Sequence, residues 1–305
     1  MNFLVNLRTF SILVSAGALF ALESRAVVDA VDPITSGNYY IFVDKQANQL
    51  TLRSMTVPSK VLKTYRAITG ENSGDKVREG DKKTPEGIYF VEGIVPKSML
   101  NPNLHGPAGV FLNYPNPADR IKHQTGSGIW IHGVETEARL DKRFDTKGCV
   151  AVSNQDIVEL KEIVRPGLTP VVIVNTEMGN PGLGYLPPEH PLKVRLNEWA
   201  KTWSEGSHEE YMKFYDVNFH SRGMDLHAWD QYKKSLKKNY KYIKVTVENL
   251  ELFKHPKYTV AYFDQIYESD RYQSRGRKRV YFVGQDETAT IVAEESIAMR
   301  PGATP

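Results

Sequence analysis

Between Gly179 and Pro191 the chain is dense in glycine and proline, and no apolar period crosses it. Such a segment cannot be the interior of a helix or a central strand, so it separates the residues before it from those after it. The two sides differ in texture. Before it, apolar residues recur mostly at period two; after it, three segments of helical period precede four of strand character. With 305 residues, 41% of them hydrophobic and 25% charged, the chain is long enough for two modest cores.

In the first half, Tyr39 to Leu52 alternates around Asp44, Lys45, Gln46, Ala47 and Asn48, which predicts a β-hairpin. Gly70 to Gly87 predicts a surface loop, Ile88 to Ile94 a strand, Asn101 to Pro117 a loop over the sheet, and Ile129 to Ile131 a buried strand ending at His132. Ile157, Leu160, Ile163 and Val164 share one face of a helix over 154–164 with Ser153 as N-cap, and a buried strand follows at Pro170 to Val174. In the second half, helices are expected over Leu192 to Trp203, Ser207 to Phe219 and Leu226 to Tyr240. Strands are expected at Lys244 to Phe253, Tyr258 to Glu268, Lys278 to Val283 and Thr288 to Glu294. The Tyr211, Phe214 and Tyr215 stripe reads as core.

Arg8, the apolar run Phe10 to Leu22 and then Ser24-Arg25-Ala26 have the order of a secretory signal peptide over 1–26, with an uncleaved anchor as the rival reading. Export makes the single cysteine, Cys149, informative. In an oxidising compartment cysteines are normally paired, and an unpaired thiol is an oxidation liability, so retaining one points to a chemical role rather than to packing alone. The formal net charge of +3 lacks the clustered excess of a nucleic-acid binder, and no nucleic-acid partner is expected. Lys233, Lys234, Lys237, Lys238, Lys241 and Lys244, with Arg271, Arg275, Arg277, Lys278 and Arg279, read first as solvated faces. Contact with anionic wall polymer or membrane surface is the alternative. His123, His190, His208, His220, His227 and His255 show no metal-ligand spacing, so no metal or other cofactor is expected.

Three elements of the first half carry chemistry: His132-Gly133, Thr146-Lys147-Gly148-Cys149 and Thr84-Pro85-Glu86-Gly87. An imidazole that takes the thiol proton raises sulfur reactivity, and its other nitrogen needs an acceptor such as the Gly133 carbonyl to hold the tautomer. Gly148 lets substrate approach the backbone, and amides around Gly148 and Cys149 are expected to form an oxyanion hole.

These motifs resemble the YkuD-type L,D-transpeptidase family over roughly 38–174. Its signature is a histidine followed by Ser/Thr-His-Gly-Cys; here Cys149 follows His132 by 149 − 132 = 17 positions, and Thr146, Gly148 and Cys149 match. Thr84, Pro85 and Gly87 match a further family element, and Trp130-Ile131-His132-Gly133 looks like the strand that delivers the histidine. Two positions depart: Lys147 replaces the usual second histidine, and Ala151 stands where an arginine is common. The Gly148 to Asn154 segment is more similar to two branches, the cell-shape L,D-carboxypeptidases of helical bacteria and the YafK-like enzymes. The second half, with Trp199, Trp203, Tyr211, Tyr215, Phe219 and Trp229 followed by four strands, resembles a nuclear transport factor 2-like (NTF2-like) domain, as the cell-shape carboxypeptidases have.

The resemblance implies a mainly β catalytic domain of YkuD-like mixed sheet fold over 36–177, a linker over 178–191, and an α+β NTF2-like domain over 192–298. It implies a periplasmic enzyme acting on peptidoglycan stem peptides, with Cys149, His132 and Gly133 catalytic and Thr146, Lys147, Gly148 and Ala151 beside the substrate. The expected reaction is L,D-carboxypeptidase trimming through a Cys149 thioester. Cross-linking transpeptidation, hydrolysis of a lipoprotein-peptidoglycan bond and a non-enzymatic wall-binding module remain alternatives, and the oligomeric state is unknown.

Overall fold

The structure is a computed structural model that describes residues 34, 37–57, 60–176 and 182–297. The expected signal peptide, part of the expected linker and residue 298 lie outside the described residues. Among the described residues no helix is long and apolar enough to cross a membrane.

Tyr39–Asp44 and Gln49–Ser54 pair as the expected hairpin. Its turn is set by the Asp44 carboxylate, which accepts the amides of Gln46 and Ala47, and by Asn48, which adopts the left-handed conformation at φ 54° that asparagine tolerates. The hairpin belongs to an eight-stranded sheet in the order Val61–Arg66, Gln49–Ser54, Tyr39–Asp44, Pro170–Val174, Gly87–Ile94, Gly109–Leu112, Trp130–His132, Val150–Ala151. Neighbours are antiparallel except Tyr39–Asp44 with Pro170–Val174 and Trp130–His132 with Val150–Ala151. The helix Asn154–Ile163 starts on the Ser153 hydroxyl, which accepts the Asp156 amide, and buries Ile157 and Leu160.

A second, wholly antiparallel sheet runs Gly184–Tyr185, Ile243–His255, Tyr258–Ser269, Gln273–Val283, Thr290–Ile297. Register shifts between Glu248 and Glu251 and between Tyr281 and Phe282 mark bulges, which increase twist and curl a sheet. Trp199, Trp203, Tyr211 and Trp229 from the three helices pack with Leu252, Phe263, Val280 and Ile291 of this sheet. The aromatic stripe is therefore core.

Period two divides the first sheet between two cores. Ile41, Val43, Tyr89, Val91, Val171 and Ile173 pack with Ile157 and Leu160. Tyr40, Phe42, Ile88, Phe90, Val172 and Val174 turn the other way and join Phe253, Tyr258, Val260, Tyr262, Tyr281 and Val292 of the second sheet. The layers thus run helix, sheet, sheet, helices. Rather than one core per half, the chain has a third core shared between them, because these strands are apolar on both faces.

Three of the basic residues read as solvated are buried. The Lys233 ammonium lies 4.4 Å from the Trp203 ring centroid and 4.7 Å from that of Trp229; Lys278 pairs with buried Glu294 at 2.5 Å; and the Arg279 guanidinium covers the Phe90 ring at 3.7 Å. Long side chains bury their stems where an aromatic face or a carboxylate receives the charge. Lys234, Lys238, Lys241, Lys244, Arg271 and Arg275 are exposed.

Candidate active site

The fully buried Ile131 and Val150 hold the Trp130–His132 and Val150–Ala151 strands side by side, Ile131 opposite Val150 and His132 opposite Ala151. Continuing this parallel register back by one residue sets Cys149 beside Trp130, on the face that carries His132. The sequence motifs are thereby brought to adjacent strand ends.

His132 is 4% exposed, and its Nδ1 lies 2.6 Å from the Gly133 carbonyl. A carbonyl only accepts, so Nδ1 carries the hydrogen and Nε2 keeps its lone pair. Asn154, at the start of the helix, fixes this corner by accepting the Val134 amide at 3.0 Å. A Cβ on Gly133 would lie 2.4 Å from the same Asn154 Oδ1, which is why glycine is needed here. The His105 ring meets that of His132 at 5.1 Å and that of Trp130 at 4.9 Å, both edge-on. Burial, reinforced by the charge of Arg139, pushes the His132 pKa down to about 4 against an opposing contribution from the Gly133 carbonyl.

The Cys149 thiol is half-buried and donates to the Gly128 carbonyl at 3.5 Å. Burial pushes its pKa above the ordinary thiol range, opposed by a hydrogen bond from the Trp130 backbone and the charges of Arg139 and Lys76. At neutral pH the pair therefore rests as neutral thiol and neutral imidazole, and deprotonation has to accompany attack.

The turn before the thiol is built around two residues. Gly148 has φ 128°, and a Cβ there would lie 2.9 Å from the Lys83 carbonyl. The Thr146 hydroxyl accepts the Gly148 amide at 3.1 Å and donates to the Cys149 carbonyl at 2.7 Å; Thr84 Oγ1 donates to the same carbonyl at 3.3 Å. This corrects one expectation, since the Gly148 amide is already bonded to Thr146 and does not face an incoming oxyanion. Thr146 is buried and shapes the turn, whereas Lys147 is exposed. Ala151 is fully buried in a small cluster with Ile68, Val134 and Leu140.

His105, Gly128, Arg139 and Asn154 join the site without having been singled out in the sequence. Arg139 clamps the segment leading into Thr146, binding the Asp145 carboxylate at 3.0 Å, the Asp145 carbonyl at 2.5 Å and Glu135 at 2.8 Å. The neighbours of His105, Gly128 and Asn154 are distant in the chain, and an asparagine and glycine-rich loop gave no periodic signal for His105; Arg139 alone pairs locally, with Glu135 at i,i+4. Among the described residues no group of three His, Cys, Asp or Glu side chains could hold a metal ion. A cleft of about 1050 Å³ opens at the seam of the two sheets, lined by Arg120, His123, Arg222 and Arg279 among others, and includes neither Cys149 nor His132.

A mixed, mainly β sheet that presents a histidine and a cysteine at neighbouring strand ends, backed by a curled sheet under three helices, defines a two-part architecture. The L,D-transpeptidase catalytic domain (YkuD) matches residues 38–173, and the Cds6 C-terminal NTF2-like domain matches residues 191–295. The solved structure of Bdellovibrio bacteriovorus Bd1075 is 30% identical with a TM-score of 0.71, covering 87% of this chain and 94% of that one. The helical cell shape determining protein Pgp2 from Campylobacter jejuni shares the fold at 24% identity and a TM-score of 0.66, over 84% of this chain and 91% of that one. The putative L,D-transpeptidase YafK of Escherichia coli (strain K12) is 29% identical over 131 residues, 42% of this chain; the chain spans about half the length of the curated relatives it matches, 48% for YafK. The protein belongs to the YkuD-type L,D-transpeptidase family and carries an NTF2-like C-terminal domain.

Proposed function

We propose that the protein is an exported, periplasmic L,D-carboxypeptidase that trims D-alanine from tetrapeptide stems of peptidoglycan. In this reading the chain divides into a leader at 1–26, a catalytic domain at 36–177, a linker at 178–191 and an NTF2-like domain at 192–298. The observation that carries the chemistry is the 2.6 Å contact of His132 Nδ1 with the Gly133 carbonyl, which leaves Nε2 as a base on the face shared with Cys149.

As the substrate carbonyl approaches, the Cys149 proton passes to His132 Nε2 and sulfur bonds to the carbonyl carbon of the L-centre of the third residue. The amide of Cys149 stabilises the resulting oxyanion, because that of Gly148 is held by Thr146. Collapse breaks the carbon–nitrogen bond, and His132 returns its proton to the departing D-alanine amine. A thioester remains on Cys149. Water, deprotonated by His132, then attacks the thioester and restores the thiol with release of the tripeptide.

Hydrolysis is favoured over cross-linking by the residues flanking Cys149. The arginine that would help order an acceptor stem is absent, and Ala151 in its place is sealed against Ile68, Val134 and Leu140. Incubating purified disaccharide tetrapeptide with the mature protein tests the proposal by mass spectrometry. Tripeptide and free D-alanine are expected. Cross-linked dimers would support a transpeptidase instead, and lipoprotein freed from sacculi would support hydrolysis of that link.

A further inference from the structure

We propose that Lys257, in the turn between the strands Ile243–His255 and Tyr258–Ser269, is a positioning residue for Cys149, so that the C-terminal half completes the active site of the N-terminal half. This rests on the reaction proposed above. Lys257 Nζ pairs with the Asp75 carboxylate and donates to the Glu86 carbonyl at 2.9 Å, both in the other half of the chain.

Asp75 is the junction of the two segments that flank the thiol. One of its oxygens accepts the Glu86 backbone amide at 2.7 Å; the other, which receives Lys257, also accepts the Gln124 side-chain Nε2 at 3.0 Å. From Glu86 the chain leads back to Thr84, whose hydroxyl bonds the Cys149 carbonyl, and to Lys83, whose carbonyl abuts Gly148. From Gln124 it leads on through Thr125, whose amide is held by the Val77 carbonyl at 3.1 Å, to Gly128, whose carbonyl accepts the thiol. The two walls of the Cys149 turn are thus gathered on one carboxylate.

The nearby Lys45 cannot replace Lys257 without leaving its own partners. Its ammonium is bound to Gly74 O at 2.6 Å, Thr84 O at 2.9 Å and Glu86 Oε1 at 2.8 Å. Without Lys257, Asp75 loses a direct ion pair in a partly shielded position, where such bonds are stronger than at the open surface. Ordinary stapling of the two halves is the task of the adjacent Tyr258, whose hydroxyl accepts the Ile88 backbone amide at 2.8 Å and the Asn116 side-chain Nδ2 at 2.7 Å within the shared core. Lys257 differs because its partner Asp75 binds the two segments that lead to the residues holding the thiol.

The test uses the full chain with Lys257→Met, Lys257→Arg, Asp75→Asn and the Lys257→Met/Asp75→Asn pair. Two readouts are taken on protein shown to be folded by circular dichroism: kcat and KM on tetrapeptide muropeptide, and the rate of Cys149 alkylation by iodoacetamide. Lys257→Met should lower kcat by about tenfold or more with KM little changed, as expected when a reacting group is displaced by a fraction of an ångström. Its alkylation rate should change as well. Lys257→Arg should restore most of the activity, and the double variant should lose no more than Asp75→Asn alone. Asp75→Asn keeps one of the two acceptor oxygens, so either Glu86 or Gln124 stays bonded while the charge is removed, and it carries the test if Lys257→Met does not fold. Folded Lys257→Met with wild-type kcat and alkylation rate, or losses that add in the double variant, would overturn the proposal. A wild-type protein inactive on every muropeptide would refute the reaction itself, and unchanged alkylation in folded Lys257→Met would still decide against the positioning role.

Discussion

The Thr146 hydroxyl donates to the Cys149 carbonyl at 2.7 Å while accepting the Gly148 amide at 3.1 Å, closing the turn that presents the thiol. Thr146→Val keeps the shape and removes both bonds. We expect it to cost about 1–3 kcal/mol of stability, since the Cys149 carbonyl and Gly148 amide lose a partner, and to lower kcat further than the unfolded fraction explains. Thr146→Ser should retain most activity. Chemical denaturation alongside muropeptide turnover checks both.

Gly148 makes a sharper demand on the same turn. At φ 128°, with the Lys83 carbonyl 2.9 Å from a Cβ, Gly148→Ala forces its own backbone or that of Lys83 to move. Loss of turnover is expected with a stability cost of about 1–3 kcal/mol. Wild-type kcat in Gly148→Ala would show that the turn tolerates rearrangement.

The pH behaviour follows from the neutral resting pair. With His132 pushed down to about 4 by burial, kcat/KM should hold level through neutral pH and fall as pH drops through about 4, where the base becomes protonated. Iodoacetamide reacts with thiolate, and burial raises the Cys149 pKa, so alkylation should climb steadily into alkaline solution. An alkylation plateau near neutral pH would reveal a preformed thiolate–imidazolium pair instead.

Much of this architecture is written locally. The hairpin at Tyr39, the Ser153-capped helix and the strand ending in His132 each follow from period, cap or turn residues, and the Thr146-Lys147-Gly148-Cys149 motif names the thiol. What escaped depends on partners far along the chain. Gly109–Leu112 is four residues long among prolines and asparagines, and becomes a strand because Gly87–Ile94 and Trp130–His132 flank it. The helix expected over Ser207 to Phe219 spans only His208–Met212, because Phe214 and Asp216 instead exchange backbone hydrogen bonds with Ile291. His105 and Lys257 reach the site or its supports through tertiary contacts that no spacing encodes. Burial of Lys233 likewise needed the Trp203 and Trp229 faces to be assembled first.

The shared core predicts that the two halves unfold together. Phe90 from the first sheet packs on Tyr262 from the second with ring centroids 5.0 Å apart, and Arg279 covers its ring. Phe90→Ala should cost about 3–5 kcal/mol. Hydrogen exchange should show protection falling in both halves; loss confined to the first half would contradict a common cooperative unit.

His255 is buried and its pKa is pushed down to about 3, chiefly by burial and then by Lys257. The unfolded state takes up this proton first as pH falls below about 6.5. The stabilising contribution is therefore complete above that value and is lost progressively down to about 3. His255→Gln removes the titration, so the stability gap between wild type and variant should shrink with acidification, by at most about 1.4 kcal/mol per pH unit. A gap constant from neutral pH to about 4 would contradict the assignment.

The proposed reaction requires Cys149 to carry the acyl group. Rapid quenching of the enzyme during turnover of tetrapeptide muropeptide, followed by intact-protein and peptide mass spectrometry, measures this directly. A mass increase equal to the substrate less D-alanine is expected on the peptide containing Cys149, with neither adduct nor turnover in Cys149→Ala. Turnover by folded Cys149→Ala at near wild-type rate, or an adduct on another residue, would contradict it.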